Sequence, residues 1–309
     1  MATVSQPRSD ADVNLSAGAA ASANGAAAHL GNGKAAASTN GSHVPAPAPV
    51  PASVGSDPDV LLPQGSWYLV AKDGLDRVFA FLMLLMTSPL ILIAMVMVKA
   101  TSRGPAMYSQ TRVGRYGKLF TIYKLRSMIV ESESLTGACW STPGDKRVTR
   151  VGHWLRRTHL DELPQLWNVM MGQMSLIGPR PERPEFVPML EQAIPYYRDR
   201  LLVRPGITGF AQVQLPPDTD IASVRIKLAY DLHYVQAVSF WFDLRIYWAT
   251  ALKMAGASFD LLRRLFRFPN RSTIECRYEH LAQEAQRKKQ ALKDAAGRVD
   301  GVNPIPLLP

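Results

Sequence analysis

Cysteine is scarce in this chain, which carries only Cys139 and Cys276 among its 309 residues. Two cysteines cannot form the disulfide framework of a small secreted domain, and neither has a second metal ligand at a typical spacing. The N-terminal region also lacks the apolar segment of a signal peptide. We therefore expect both cysteines to be reduced thiols that face the cytosol.

Aromatic side chains are missing from the first 66 residues, and 16 of the first 60 residues are alanine. Serine, glycine, asparagine and proline supply much of the remainder. Such a segment cannot bury enough apolar surface to offset the entropy that it would lose on ordering. The composition therefore predicts a disordered tail at residues 1–62 and argues against two domains of equal size.

Charge is missing from one long stretch, the 21 apolar-rich residues between Arg77 and Lys99. A helix of this length just crosses a hydrocarbon core, at about 1.5 Å per residue. Ser88 and Pro89 interrupt it, because proline removes a backbone hydrogen bond, and Ser88 is placed to bond a carbonyl that this frees. Both flanks are basic, so the charge bias gives no direction. Residues 63–104 therefore predict either a spanning helix or a re-entrant helix that breaks at Ser88-Pro89.

Acidic residues are missing from residues 99–130, where seven lysines or arginines are interleaved with tyrosine and phenylalanine. The whole chain has a formal net charge of +10. A basic, aromatic segment suits nucleic acid or anionic lipid headgroups, and its place directly after the apolar stretch favours lipid. We therefore expect membrane lipid, and no nucleic acid, as a partner.

The same basic segment contains a predicted β-hairpin, with a turn at residues 113–118 and a returning strand that starts at Phe120. Lys124 and Arg126 are two residues apart, so they would share one face of a strand. They would then pair with a phosphate or with acidic residues. The alternative is a solvated positive face without a ligand.

Two adjacent acids, Asp161 and Glu162, stand at the centre of an arginine-rich stretch. Pro164 suits the start of a short helix, where its missing N–H is harmless, and Gly172 suits the end. Arg156 precedes the acids, and Arg180 follows them in a tight Gly-Pro-Arg-Pro turn. Acids among guanidinium groups at a helix start suit a metal-bridged phosphate site. The alternative is a capped helix with surface ion pairs.

The C-terminal third predicts three helices. Residues 221–235 show helical apolar spacing, and residues 240–255 combine aromatic and charged side chains as an interfacial helix does. Residues 273–296 are rich in glutamine, lysine and glutamate, which predicts a solvated or pairing helix. Arg204 lies in an Arg-Pro-Gly-Ile-Thr-Gly run that we interpret as a rigid loop, whose glycines let the backbone approach a ligand. Arg204 would otherwise pair with an acid such as Asp199 or Glu185.

Several of these motifs together resemble the bacterial sugar transferase family, the monotopic polyprenyl-phosphate phosphoglycosyl transferases. The similarity is carried by four ordered runs of the sequence: Tyr-Lys-Leu-Arg-Ser-Met at 123–128, Leu-Asp-Glu-Leu-Pro-Gln-Leu-Trp-Asn-Val at 160–169, Gly-Gln-Met-Ser-Leu-Ile-Gly-Pro-Arg-Pro at 172–181 and Tyr-Asp-Leu-His-Tyr-Val at 230–235. The resemblance favours the re-entrant form of the apolar helix, because family members carry a Ser-Pro break there.

The resemblance also implies a reaction, the transfer of a sugar-1-phosphate from a UDP-sugar to polyprenyl phosphate with release of UMP. Asp161 would be the nucleophile that forms a phosphosugar-aspartyl intermediate. Glu162 would help Asp161 to hold Mg²⁺, or it would orient Asp161. Arg156 and Arg180 would clamp phosphates, and Arg204 would hold the nucleotide.

We therefore predict a mostly helical α/β protein at the bacterial inner membrane, which acts in the first membrane step of exopolysaccharide or other glycoconjugate synthesis. A catalytic domain at 105–268 would lie on the cytosolic face, and a polar helix and tail would follow at 269–309. A homo-oligomer is compatible with the sequence. The alternatives are a direct displacement with Asp161 as general base, and a membrane-anchored basic scaffold without catalytic activity.

Overall fold

The computed structural model describes residues 67–130 and 144–299, with the side chains of residues 285, 288, 289 and 292–299 excepted. The predicted tail at residues 1–62 and Cys139 lie outside the described residues. Cys276 is exposed as a free thiol.

Helices make up most of this part of the chain, and short strands are inserted between them. The helices are α1 (Trp67–Thr101), α2 (Arg150–Arg157), α3 (Gln165–Met170), α4 (Val187–Ala193), α5 (Phe210–Gln214), α6 (Ile221–Ala237), α7 (Phe240–Met254), α8 (Phe259–Leu265) and α9 (Arg271–Val299). The strands are β1 (Met107–Val113), β2 (Leu119–Leu125), β3 (Ser175–Ile177) and β4 (Gly206–Thr208).

The apolar stretch forms the single helix α1, which continues through Pro89. The helical backbone is therefore not interrupted at Ser88-Pro89, and a change of direction at Pro89 stays a prediction. Pro89 has no N–H to offer the Leu85 carbonyl, four residues earlier. The Ser88 hydroxyl donates to that carbonyl at 2.9 Å, as the sequence predicted, and this contact helps the helix to continue.

Both ends of α1 pack against the rest of the fold, whereas its middle is exposed. The N-terminal half buries Tyr68, Lys72, Asp76 and Ala80 at a spacing of four residues, and the C-terminal half buries Ala94 and Val98. Large apolar side chains between these contacts are exposed, among them Phe81, Leu85, Met86, Leu92 and Ile93. By length and composition, α1 is the one described helix that could cross a membrane.

The predicted hairpin is confirmed. Strands β1 and β2 are antiparallel with Met107 opposite Leu125 and Val113 opposite Leu119, and a 3₁₀ turn at Arg115–Gly117 joins them. This hairpin carries Lys124 towards Asp161 and Glu162, because β2 packs against both the turn at Leu160–Glu162 and α3.

A second, parallel pair of strands was not predicted, and it corrects the interpretation of the Arg-Pro-Gly-Ile-Thr-Gly run as a loop. Strand β4 pairs with β3, with Gly206 opposite Ser175 and Thr208 opposite Ile177. A Cβ at Gly206 would lie 2.1 Å from Gly178 N, and one at Gly209 would lie 2.1 Å from Gly178 O. These glycines therefore allow two backbone segments to touch, rather than a backbone and a ligand.

The main hydrophobic core lies around α6 and α7, both of which follow the predicted helices closely. Val224, Leu228 and Val235 of α6 and Phe242 and Ile246 of α7 are buried there. The first turns of α9 belong to the same core through three buried side chains, Ile274, Tyr278 and Ala282. The helix that was predicted as solvated or pairing is therefore anchored in the core at its start.

Candidate active site

Asp161 and Glu162 lie in a 3₁₀ turn, Leu160–Glu162, which we call the acid turn and which directly precedes the short helix α3. Pro164 precedes the first α-helical residue, and Gly172 follows the end of α3 with φ of +73°. The start and stop predicted at these two residues are confirmed. The acids themselves sit one tight turn ahead of α3 rather than inside it, and this turn places both near the hairpin.

Glu162 is held by two cations. Its Oε1 accepts from Lys124 Nζ at 2.8 Å and from Arg180 Nη2 at 2.6 Å. Burial alone would raise the pKa of Glu162, but the charges of Arg180 and Lys124 outweigh it and hold this pKa well below its usual range. Glu162 is therefore a permanent anion that fixes the positions of Arg180 and Lys124.

Asp161 is only 7% exposed, yet within residues 67–130 and 144–299 its carboxylate has no hydrogen bond or ion pair. Burial and the neighbouring charge of Glu162 raise the pKa of Asp161, and Lys124, Arg156 and Arg180 offset part of this rise. A buried carboxylate without a fixed partner, surrounded by cations at a distance, keeps its lone pairs available for a ligand or an electrophile.

The other predicted arginines and Lys124 occupy three different places. Lys124 joins the acid turn, as predicted, and Arg156 lies close enough to act on the Asp161 charge while its Nε donates to Ser127 Oγ at 2.9 Å. Arg126 lies against the end of α1, where its Nη2 donates to Ser102 O at 2.9 Å and Ser102 Oγ at 2.7 Å.

Arg204 forms its ion pair with Asp73 of α1, and not with Asp199 or Glu185. The sequence could not indicate this partner, because Asp73 precedes Arg204 by more than a hundred residues. The backbone carbonyl of Arg204 lies beside Gly178, at the base of the loop that carries Arg180. Arg204 therefore links the N-terminal half of α1 to the strand pair next to the acids.

Arg200 supports the main chain at Arg180, a role that was not predicted from the sequence. Its Nη2 donates to the Arg180 carbonyl at 2.8 Å and forms an ion pair with Asp231 Oδ2, also at 2.8 Å. Its Nη1 donates to Tyr197 Oη at 3.0 Å. The only sequence signal was the Tyr-Asp-Leu-His-Tyr-Val run, which contains Asp231.

A buried polar network joins α1 to α7. Asp243 accepts from Tyr68 Oη at 2.6 Å, from Lys72 Nζ at 2.5 Å and from Tyr234 Oη at 2.9 Å. The Tyr234 hydroxyl also lies 3.0 Å from the carbonyl of Ile177, the last residue of β3. The network therefore reaches the strand that leads into the Arg180 loop.

Asp76 extends this network on the same helix, since it lies 3.5 Å from Lys72 Nζ and accepts from Ser175 Oγ at 2.6 Å. All of these groups are buried or nearly so, and each has a partner. We call this set the anchor cluster: Tyr68, Lys72, Asp76, Ser175, Tyr234 and Asp243.

A cavity of about 520 Å³ opens beside the acid turn. This volume lies in the range typical of sites for small molecules and cofactors. Glu162, Arg180 and Lys253 line it together with Met83 of α1. Asp161 is not among the described lining residues, so it lies next to the cavity wall rather than on it. The sequence did not single out Lys253, which is one of the charged residues of the predicted interfacial helix at residues 240–255.

A comparison with protein-family models decides the family. The model described as bacterial sugar transferase matches residues 67–257, more than half of the chain. The chain belongs to this family. The match contains α1, the acid turn, the anchor cluster and α7, so the long apolar helix and the site residues lie within one family match.

Known members of the bacterial sugar transferase family have related sequences. The chain is 45% identical over 183 residues to UDP-N-acetylgalactosamine-undecaprenyl-phosphate N-acetylgalactosaminephosphotransferase of Aeromonas hydrophila, covering 59% of this chain and 43% of that protein. It is 39% identical over 210 residues to UDP-glucose:undecaprenyl-phosphate glucose-1-phosphate transferase of Xanthomonas campestris pv. campestris, covering 66% and 43%. It is 38% identical over 189 residues to exopolysaccharide production protein PSS of Rhizobium leguminosarum bv. phaseoli, covering 60% and 94%.

The chain spans less than half of the length of the first two relatives. The sugars in their names also differ, N-acetylgalactosamine in one and glucose in the other. Similarity at this level therefore does not identify the sugar.

The acid turn offers a donor set that suits Mg²⁺ only together with a phosphate. Mg²⁺ is usually bound by one or two carboxylates plus phosphate oxygens and water, rather than by a cage of protein ligands. The described residues contain no group of three or more His, Cys, Asp or Glu placed for a metal. No described residue pairs with the Asp161 carboxylate oxygens, whereas Lys124 and Arg180 already occupy Oε1 of Glu162. The set fits a metal that arrives with a diphosphate.

Proposed function

We propose that this chain transfers a sugar-1-phosphate from a UDP-sugar to polyprenyl (undecaprenyl) phosphate and releases UMP. The observation that carries the proposal is the pair of adjacent acids with opposite environments: Glu162 is fixed by two cations, and Asp161 is buried without a partner in the part of the chain that the structure describes. Membership of the bacterial sugar transferase family and the names of its relatives support the same reaction.

Asp161 acts as the nucleophile in this proposal. Its Oδ attacks the phosphorus that bears the sugar, and the bond from that phosphorus to the bridging oxygen of UMP breaks. The product is a phosphosugar-aspartyl intermediate and free UMP. An oxygen of polyprenyl phosphate then attacks the same phosphorus, and the bond to Asp161 breaks. A carboxylate nucleophile thus replaces one difficult displacement by two easier ones.

The surrounding residues hold phosphate oxygens and the nucleophile in place. Glu162 positions Arg180 and Lys124, and Arg180 has its side chain 38% exposed, so part of its guanidinium group can meet a phosphate. Arg156 supplies a further positive charge near Asp161. Mg²⁺, held by Asp161 and Glu162 with the diphosphate, would neutralise phosphate oxygens and improve the leaving group.

We further propose that α1 is a re-entrant helix, which bends at Pro89 while it keeps its helical backbone, and that the catalytic part lies on the cytosolic face of the bacterial inner membrane. Two contacts support this: Lys72 and Asp76 near one end of α1 and Val98 near the other end are buried against the same fold. A straight spanning helix would carry its ends to opposite faces of the membrane. The exposed aromatic side chains of α7, such as Trp241 and Trp248, suit the interface.

The test is the nucleotide released when the full-length protein is given a UDP-sugar, Mg²⁺ and polyprenyl phosphate. We expect UMP from the wild type, almost none from Asp161→Asn, and normal release from Asp260→Asn, a matched change at an exposed acid of α8. Release of UDP instead would mean ordinary glycosyl transfer. No release from any of several UDP-sugars, together with no binding of labelled nucleotide sugar, would favour a non-catalytic scaffold.

A second measurement separates the double displacement from a direct transfer in which Asp161 is a general base. The UDP-sugar is labelled on the phosphate next to the sugar and supplied without acceptor. We expect label on the wild-type protein after rapid denaturation, and none on Asp161→Asn. Unlabelled wild-type protein that still makes product when acceptor is added would contradict the aspartyl intermediate.

A further inference from the structure

We propose that Lys253 binds the phosphate of the polyprenyl acceptor, at the point where the cavity meets the apolar surface of α1 and α7. This inference rests on the proposed function and assigns a residue of the cavity to the second substrate. It concerns only the acceptor, so it can fail while the overall reaction stands.

Lys253 is a cation without an anion. Its Nζ donates to the Gln212 carbonyl and lies 5.1 Å from the ring centre of Phe259. Among residues 67–130 and 144–299, it has no carboxylate within ion-pair distance, unlike Lys72, Lys124 and Lys227. A partly buried ammonium group in a cavity is stabilised when an anion binds there.

The positive charge of Arg180 near Lys253 also favours the binding of an anion between them. Arg180 faces the same cavity, and its charge, after the larger effect of burial, lowers the pKa of Lys253. Glu162 is shared between Arg180 and Lys124, so it leaves no charge for Lys253. A phosphate placed between Lys253 and Arg180 would relieve this repulsion and gain charge-assisted hydrogen bonds.

The apolar side of the cavity indicates which phosphate this is. Met83 of α1 and Tyr247 and Met254 of α7 line the same cavity, and both helices carry exposed apolar side chains. Leu252 and Met254 flank Lys253 in sequence and are 37% and 57% exposed. A polyprenyl phosphate has a phosphate attached to a long apolar chain, whereas a UDP-sugar has no apolar part to place there.

The experiment compares Lys253→Met with Arg245→Met, which removes an exposed cation from the same helix. We expect Lys253→Met to raise the KM for polyprenyl phosphate by about 10- to 100-fold, as for a lost charge-assisted hydrogen bond, with the KM for UDP-sugar unchanged. Arg245→Met should change neither. Lys253→Arg keeps a cation and should restore most of the acceptor affinity.

A second readout uses the first half of the reaction alone, the exchange of labelled UMP into UDP-sugar without acceptor. Lys253→Met should exchange at the wild-type rate, which also shows that the variant is folded. Loss of exchange, or an equal rise in the KM for UDP-sugar, would assign Lys253 to the donor diphosphate and overturn the proposal. An unchanged KM for polyprenyl phosphate would overturn it as well. Failure of the wild type to release UMP would instead contradict the proposed function.

Discussion

The anchor cluster and the acid turn are both buried polar regions, and they differ in how completely their charges are satisfied. In the anchor cluster, Asp243 accepts from three donors and Asp76 from Ser175, so each carboxylate has its partners inside the protein. In the acid turn, Glu162 is equally well held, but Asp161 has no described partner. Lys253, which lines the adjoining cavity, has no anion among the described residues.

This difference distinguishes a structural region from a reactive one. A buried charge with full hydrogen bonding holds elements together, and removing its partner is costly. A buried carboxylate without a partner lowers stability, and proteins keep such groups mainly where a ligand or a reaction uses them. The anchor cluster therefore fixes α1 to α7, whereas the acid turn keeps Asp161 available for chemistry.

The largest predicted effect is on stability and belongs to the anchor cluster. Asp243→Ala removes the carboxylate that accepts from the Lys72 ammonium group and from two tyrosine hydroxyls. We expect a loss of about 3–5 kcal/mol in the free energy of unfolding, because one partner of a buried ion pair is removed. Thermal unfolding in detergent or nanodiscs would measure the effect.

Asp161→Asn is the matched change in the other region, and it should not destabilise the protein at neutral pH. A carboxyl group whose pKa is raised on folding loses stability as the pH rises from its unfolded pKa, about 3.9, through its raised folded pKa. At neutral pH the ionised Asp161 therefore lowers stability, and asparagine removes that cost. Equal losses for Asp243→Ala and Asp161→Asn would contradict the distinction between the two regions.

The next largest effect is on activity and concerns Glu162, the residue of the acid turn whose carboxylate is fully paired. Glu162→Gln removes the charge that holds Arg180 and Lys124. We expect kcat/KM for UMP release to fall roughly 10²-fold, about 2.7 kcal/mol, because phosphate-binding groups are misplaced. Glu279→Gln breaks an exposed ion pair with Arg225 and should have little effect. Equal kcat/KM in the two variants would show that UMP release does not depend on the charge of Glu162.

Much of this arrangement could be predicted from the sequence, because its signals are local. The hairpin, the limits of α6 and α7, the stop at Gly172 and the bond from Ser88 each depend on residues a few positions apart. The acid pair and Arg180 also lie within one motif, so their meeting could be expected.

The rest depends on contacts between distant residues, which no local pattern records. Arg200 reaches the Arg180 carbonyl, Arg204 reaches Asp73, and Asp243 reaches Lys72 across 171 residues. The pairing of β3 with β4 was missed because each strand has only three residues and the glycines resembled those of a ligand loop. Lys253 was missed because its role depends on Gln212 and Arg180, which lie outside α7.

A smaller effect should appear in the pH dependence of UMP release. Asp161 must be ionised to attack, and its pKa is raised by burial and by Glu162. Activity should therefore fall as the pH drops through a value above that of an ordinary aspartate. Lys124→Met removes a positive charge that lowers this pKa, so the acid limb should move upward by about one pH unit, or 1.4 kcal/mol.

The control for this shift is Lys118→Met, which removes an exposed lysine from the turn of the same hairpin. Its pH profile of kcat/KM should match that of the wild type. A downward movement of the acid limb in Lys124→Met, or the same movement in both variants, would show that the charge of Lys124 does not act on the nucleophile.

The smallest predicted effect extends the comparison to the exposed middle of α1, which lies between the two buried ends of this helix. There the Ser88 hydroxyl is the donor at the Leu85 carbonyl, to which Pro89 cannot donate. Ser88→Ala should cost about 1 kcal/mol, the usual net value of one hydrogen bond. In a Pro89→Ala background the new N–H can bind the same carbonyl, so the cost of Ser88→Ala should shrink towards zero. If Ser88→Ala lowered the unfolding temperature equally with and without Pro89, the hydroxyl would not replace the hydrogen bond that Pro89 cannot make. The unpaired Leu85 carbonyl would then cost this part of the helix no stability.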